Sequence, residues 1–306
     1  MSTPIDQTRR TGELSNQPEA EIYDRGYRHY DGPREGRRHA ILALVVYSIK
    51  RGLGIKKRWT AKIIPILIYG FAFFPVIIIV GIRAFAGNLA ANLNYLTLYS
   101  SLALIMVVFA AATAPEMLCD DRRQHVLPLY FSRALSKGDY LLAKIGGLGF
   151  LMGTVALLPA VFLFLGSTFL ATSPVSYFFD HVADLLRILA VGTLLALFFA
   201  SIGLLIASFT ERKSIAAAVY IGAVLLISGF ADALFHAIHA DWHRYFALAD
   251  LLAVADGLTA WIFGKKLTGG SVAATASLAG PWYLVSVAVV VIASAAVMYR
   301  QYLREE

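Results

Sequence analysis

The chain has 306 residues, 58% hydrophobic and only 15% charged, with a formal net charge of +7 and a mean hydropathy of +0.66. Soluble globular chains are nearer about 45–50% apolar and about 25% charged, so the composition excludes a soluble domain and indicates an integral membrane protein. The single cysteine, Cys119, excludes an intrachain disulfide.

The first 22 residues are polar, with Pro, Ser, Thr, Gln and Glu, and no apolar signal-type stretch follows before Ile41. They read as a disordered tail inside a cytoplasmic segment 1–39. Residues 40–59, "AILALVVYSIKRGLGIKKRW", come next. Leu42, Val45, Val46, Ile49 and Leu53 recur at helical spacing, while Lys50, Arg51 and Arg58 fall off that stripe. Gly52 and Gly54 weaken the end of the helix. The segment is too short and too charged to span, so it reads as an amphipathic helix at the anionic inner leaflet, in contact with membrane lipid.

A helix crosses the hydrocarbon core in about 20 residues. Charge-free runs of that kind are Ile63 to Ile82, Tyr95 to Ala114, Ile145 to about Leu170, Ile188 to Thr210, Ile215 to Ala231 (extendable to Phe235) and Trp282 to Tyr299. They are too long for barrel strands. The expected fold is therefore an all-α, six-span bundle over residues 60–300, with a short cytoplasmic tail at 301–306. Pro65, Pro75 and Pro159 lie within spans, where proline is tolerated.

Lys and Arg in loops set orientation. Thirteen of the 27 precede the first span, and the next loop holds only Arg83. Arg122, Arg123, Arg133, Lys137 and Lys144 follow the second span, and Arg212 and Lys213 follow the fourth. Arg300 and Arg304 close the chain. The alternation places both termini in the cytoplasm of a cell (inner) membrane protein. It also accounts for the net positive charge without any nucleic-acid partner. A rival seventh span at Tyr245 to Phe263 would carry Asp250 and Asp256, each costing about 2.5–3.5 kcal/mol near a helix centre. That segment reads instead as an interfacial or re-entrant helix in the outer leaflet.

Between the second and third spans runs "PEMLCDDRRQHVLPLYFSRALSKGDYLLAK", Pro115 to Lys144. Pro115 marks a boundary or kink. Ser136 and Asp139 form a Ser-x-x-Asp capping box that starts the third span. About 20 residues of short helix and turn remain between them. Its charges, Glu116, Asp120, Asp121, Arg122, Arg123 and Arg133, flank an apolar knob of Leu127, Leu129, Tyr130 and Phe131. A solvated positive-inside loop explains the Arg and Lys but not the knob, so the segment reads as a docking surface.

Asp232, His236, His239 and His243 share one helix face and form a candidate metal site, with Asp241 near. They read better as an interfacial helix with His and Trp242 at headgroup depth. Asp184 and Arg187, three residues apart, form a local ion pair. No Gly-x4-Gly-Lys-Ser/Thr cradle occurs, nor His-Glu-x2-His, Gly-x-Ser-x-Gly or Cys-x2-Cys. The chain is not read as an enzyme, and no cofactor of its own is expected.

Glu116, Asp120-Asp121-Arg122-Arg123, "LPLYFSRALSKGDYLLAK" and the upstream "YDRGYRHYDGPREGRR" (Tyr23 to Arg38) resemble the permease subunits of ATP-binding-cassette transporters of the second, exporter-like type. Ala134 stands where relatives often have Pro. The resemblance implies that residues 40–59 are the elbow helix and that the loop between spans two and three is the coupling helix touching an ATPase. It also implies that residues between spans five and six form outer re-entrant helices. ATP and Mg would then be bound by a separate cytoplasmic ATPase, in two copies, acting on a dimer of permeases. Two other functions compete. A secondary carrier usually has intramembrane ionisable residues and two related halves, which these spans lack. A membrane scaffold or assembly factor remains compatible with the sequence. The apolar span faces favour an amphipathic cargo.

Overall fold

Backbone amides in lipid have no water to bond, so apolar runs of this length must satisfy themselves as helices. The computed structural model describes residues 36–55, 59–86, 94–126, 130, 135–238, 242–267 and 271–303. The chain divides after Arg34, and all described residues belong to the unit Glu35–Glu306. In chain order the described helices are α1 (Arg37–Gly52), α2 (Thr60–Ala86), α3 (Tyr95–Arg123), α4 (Lys137–Leu170), α5 (Pro174–Asp180), α6 (Val182–Ala207), α7 (Lys213–Ala237), a 3-10 helix (His243–Leu248), α8 (Leu251–Phe263), α9 (Val272–Ala276) and α10 (Pro281–Leu303). Among the described residues six of these, α2, α3, α4, α6, α7 and α10, are long and apolar enough to cross a membrane.

The six spans are not equivalent. In α3, α6 and α4, 72%, 61% and 50% of the apolar window is buried within the bundle; in α2, α7 and α10 the shares are 28%, 28% and 22%. The first three therefore make the core and the others its lipid-facing flanks. Small residues allow the close approach: a methyl on Gly203 of α6 would meet Ala114 Cβ at 3.2 Å and Ala110 Cβ at 3.4 Å on α3. Tyr69 Oη and Thr154 Oγ1, 2.5 Å apart, and the edge-on rings of Phe73 and Phe162 seat α2 on α4. Arg83 donates to Ser167 Oγ at 2.5 Å towards the far end of the same pair.

Two helices are longer than a bilayer requires. The 34 residues of α4 and 29 of α3 reach roughly 50 and 44 Å at 1.5 Å per residue, against about 30 Å of hydrocarbon. Of the boundary or kink expected at Pro115, the boundary is absent: α3 runs through it to Arg123. Proline removes one backbone bond there, and side-chain ties from Glu116, Asp120 and Asp121 to other helices hold the continuation. At the start of α4 the capping box forms as expected. Asp139 N–H donates to Ser136 Oγ at 3.2 Å, and Ser136 N–H donates to Asp139 Oδ2 at 3.0 Å.

α1 lies lengthwise on the first turns of α4. Arg37 donates to both Asp139 oxygens at 2.8 and 2.9 Å. Farther along, Ser48 faces Gly147, and Gly52 sits against Leu151 and Met117. The buried face is Leu44, Ser48 and Gly52, with Val45, Ile49 and Leu53 half-buried beside it. Leu42 and Val46, expected on the same stripe, are exposed, as is Lys50. Arg51 departs from expectation in the other direction and is drawn inwards. The helix ends where glycines were expected to weaken it, and Gly54 turns the chain at φ +66°.

α2 starts and α10 ends at one end of the bundle. Ile64 and Pro65 lie there beside Arg51 and Lys213, and Gln301 Nε2 donates to Ser208 O at 2.7 Å in the turn before α7. Most of the described charge gathers at this end. At the far end, α8 has 13 residues, roughly 20 Å and too short to span. Asp250, one of the two carboxylates that argued against a seventh span, caps it by accepting from Leu252 N–H at 3.0 Å. The other, Asp256, accepts from Ser100 Oγ of α3 at 2.6 Å. Burial pushes the Asp256 carboxyl up, Ser100 offsets part of this, and Asp250 adds to it. A carboxyl raised in the folded state contributes stability at low pH that is lost as pH rises through its folded pKa. Asp256→Asn should therefore gain melting temperature over the parent as pH rises from below the ordinary carboxylate value of about 4 to neutral. A gap that stays constant or reverses would contradict the placement.

Candidate functional site at the charged end of the bundle

Three helices bring fixed charge to one point. Asp121 of α3 is 1% exposed and Lys144 of α4 is 0% exposed. Lys144 Nζ lies 2.6 Å from Asp121 Oδ2, donates to Met117 O at 2.9 Å and sits 5.3 Å from the Tyr140 ring centroid. Tyr140 Oη donates to Asp121 Oδ2 at 2.9 Å. Arg51 of α1 pairs with Asp121 and, through Nη2, with Asp120 Oδ2 at 2.8 Å. Its guanidinium carbon is 5.9 Å from the Tyr47 ring centroid. Burial works to lower the Arg51 pKa, but the Asp120 hydrogen bond and the Asp121 charge outweigh it and raise the value.

A fourth helix joins at the edge. Lys213, the first residue of α7, reaches Asp120 Oδ2 at 2.6 Å and Glu116 Oε2 at 2.8 Å. Arg51, Lys144 and Lys213 thus balance Glu116, Asp120 and Asp121, the condition for holding such charges out of water. Exposed Arg123 stands 3.8 Å from Asp120.

Two cavities follow the α2–α3 seam. One of about 240 Å³ opens beside the charges and is lined by Gly52, Pro65, Ala112, Glu116, Lys213 and Ala217. The other, about 540 Å³, lies in the half towards Asp256 and is lined by Phe71, Phe74, Ser100, Ser101, Leu104 and Val108.

The residues expected on a docking loop separate into distinct settings. Asp120 and Asp121 face inwards: Arg51, Tyr140 and Lys144 take up both Asp121 oxygens, and Arg51 and Lys213 share Asp120 Oδ2. Glu116 borders the smaller cavity. Arg122 is half-buried; Arg123, Gln124 and His125 are exposed. Tyr130 is half-buried, its ring centroid 5.8 Å from that of Tyr140. Leu127, Leu129, Phe131 and Arg133 lie outside the described residues. Lys144, Tyr140 and Lys213 were not anticipated as partners of these carboxylates. The available signal was topological: a five-residue turn after α6 must return the chain to the end where α3 finishes.

On the candidate metal face, His236 Nδ1 is 3.3 Å from Asp232 Oδ1 and the His243 ring packs on Phe235 with centroids 5.1 Å apart. His239 and Asp241 lie outside the described residues. Among the described residues no three His, Cys, Asp or Glu side chains converge as a metal would need. Arg187 donates to Asp184 at 2.7 Å, the expected local pair.

Among curated proteins no relative matches the sequence. The family model described as ABC-2 family transporter protein matches residues 18–305. Six spanning helices, a charge cluster at one end and a match over nearly the whole length agree: the chain belongs to the ABC-2 family of transporter proteins, as a multi-pass membrane component of transport.

Proposed function

We propose that the chain is the permease subunit of an ATP-driven exporter whose ATP, with Mg, is bound and hydrolysed by a separate cytoplasmic ATPase. The observation that carries this is the extension of α3 and α4 beyond bilayer length at the end rich in Arg and Lys. The segment 124–136 joins these two helices there, as a coupling element would. Movement of that segment by the ATPase would be passed directly into the two central spans. One bundle offers an open seam rather than a closed pore, which supports a pair of permeases served by two ATPases. The seam, apolar at Phe71, Phe74 and Leu104 with Ser100 and Ser101 on one side, suits an amphipathic cargo.

This reading places the charged end in the cytoplasm. The test uses single cysteines in a Cys119→Ser background and a membrane-impermeant thiol reagent on intact cells. Cysteines at Asn92 and Ser271 should label from outside, and one at Ser132 should not. Labelling of Ser132 would reverse the orientation and remove the coupling role.

A further inference from the structure

We propose that Lys213 is a latch: its bridge to Glu116 and Asp120 closes the cavity at the charged end, and the first turn of α7 is the part that swings away to open it. The inference deepens the permease reading by naming which contacts at this end break and which hold.

The two halves of the charge cluster differ in how tightly water is excluded. Between α1, α3 and α4, the Arg51, Asp121 and Lys144 side chains are 10%, 2% and 0% exposed. Separating these helices would leave charges in a nearly anhydrous site, which is strongly unfavourable. Lys213 and Glu116 are 32% and 31% exposed. Their attraction is screened, and both ions can be hydrated when they part. Asp120 is not stranded by the parting, because Arg51 Nη2 holds the same Oδ2 that Lys213 uses.

The rest of α7 is suited to movement. Its N-terminus has no side-chain cap. On the face turned to the bundle, the buried Tyr220 and Ser228 hydroxyls have no hydrogen-bond partner among the described residues, so the closed seat of this helix carries a cost. Lys213 and Ala217 form one wall of the cavity, while Ala112 and Glu116 of α3 form another. Withdrawal of the first α7 turn therefore widens that cavity and leaves α1, α3 and α4 in place.

The test measures access to the cavity directly. In a Cys119→Ser background, Ala112→Cys puts a thiol on the α3 wall. Opened membranes carrying the full chain are treated with a charged thiol reagent without nucleotide, and the initial labelling rate is recorded. Lys213→Gln should label roughly threefold to fivefold faster, the scale of a partly exposed ion pair. Lys213→Arg should label at the parent rate. An unchanged rate in Lys213→Gln overturns the latch. In a second arm α1 is locked to α4 by a disulfide between Val45→Cys and Gly146→Cys, where a Cβ on residue 146 would lie 3.9 Å from Val45 Cγ2. The Lys213→Gln acceleration should persist with that lock formed, and its disappearance would show that the α1–α4 pair is what moves. Labelling requires neither ATPase nor cargo, so failure here speaks against the latch alone, whereas full ATPase binding and transport retained by the Tyr130 and Phe131 double variant tested below speak against the permease reading.

Discussion

Asp121→Asn is expected to cost about 3–5 kcal/mol of stability, the penalty for breaking a buried ion pair by removing one partner. Asparagine keeps the shape and can still accept from Tyr140. It cannot balance Lys144, which is fully buried with Asp121 as its carboxylate at 2.6 Å, or the share of Arg51 that Asp121 holds. Asp120 retains Arg51 but is committed to Lys213 as well. The measurable outcome is a large fall in the melting temperature of the detergent-purified chain. A second variant separates charge imbalance from simple loss of contact. Lys144→Met removes the stranded ammonium and keeps the apolar stem, so Asp121→Asn with Lys144→Met should recover more than half of the loss. A single variant that melts like the parent, or a double variant whose losses simply add, would contradict the account of this cluster.

Much of the bundle is legible in the sequence because its determinants are local. Six charge-free runs give six spans, Ser136 and Asp139 give the start of α4, and the charges of Asp250 and Asp256 argue against a seventh crossing where the short α8 forms. What sequence reasoning loses are the partners that only the fold supplies. Helical periodicity puts Arg51 off the apolar stripe and therefore into water. Two carboxylates on another helix, 69 and 70 residues later, draw it inside instead. For the same reason Asp120 and Asp121 look like rim charges of a loop, yet α3 continues through Pro115 and turns them towards Lys144 and Arg51. A charge-reversing change at Asp121 therefore tests the core of the bundle rather than its rim. Leu42 and Val46 share spacing with Val45 and Ile49 but not a neighbour, since α4 covers only one side of α1. Lys213 was visible as a positive-inside residue, and only the return of α7 to the end of α3 shows what it binds.

The second large effect concerns the coupling of this end to a soluble partner. Tyr130→Ala with Phe131→Ala should leave the six spans inserted but weaken capture of the ATPase by at least roughly 30-fold, the effect of a single such anchor. Aromatic anchors at such contacts often carry 2 kcal/mol or more each, and about 1.4 kcal/mol is a tenfold change. Tyr130 is half-buried against Tyr140, so part of its role is to set the segment on the bundle; Tyr130→Phe, which keeps the ring, should preserve binding. The decisive measurement is pull-down of the ATPase by detergent-solubilised chain, parent against double variant, alongside transport in the same membranes. The permease account predicts that binding and transport are lost together while the chain remains folded and inserted. A double variant that retains full ATPase binding and full transport would contradict it.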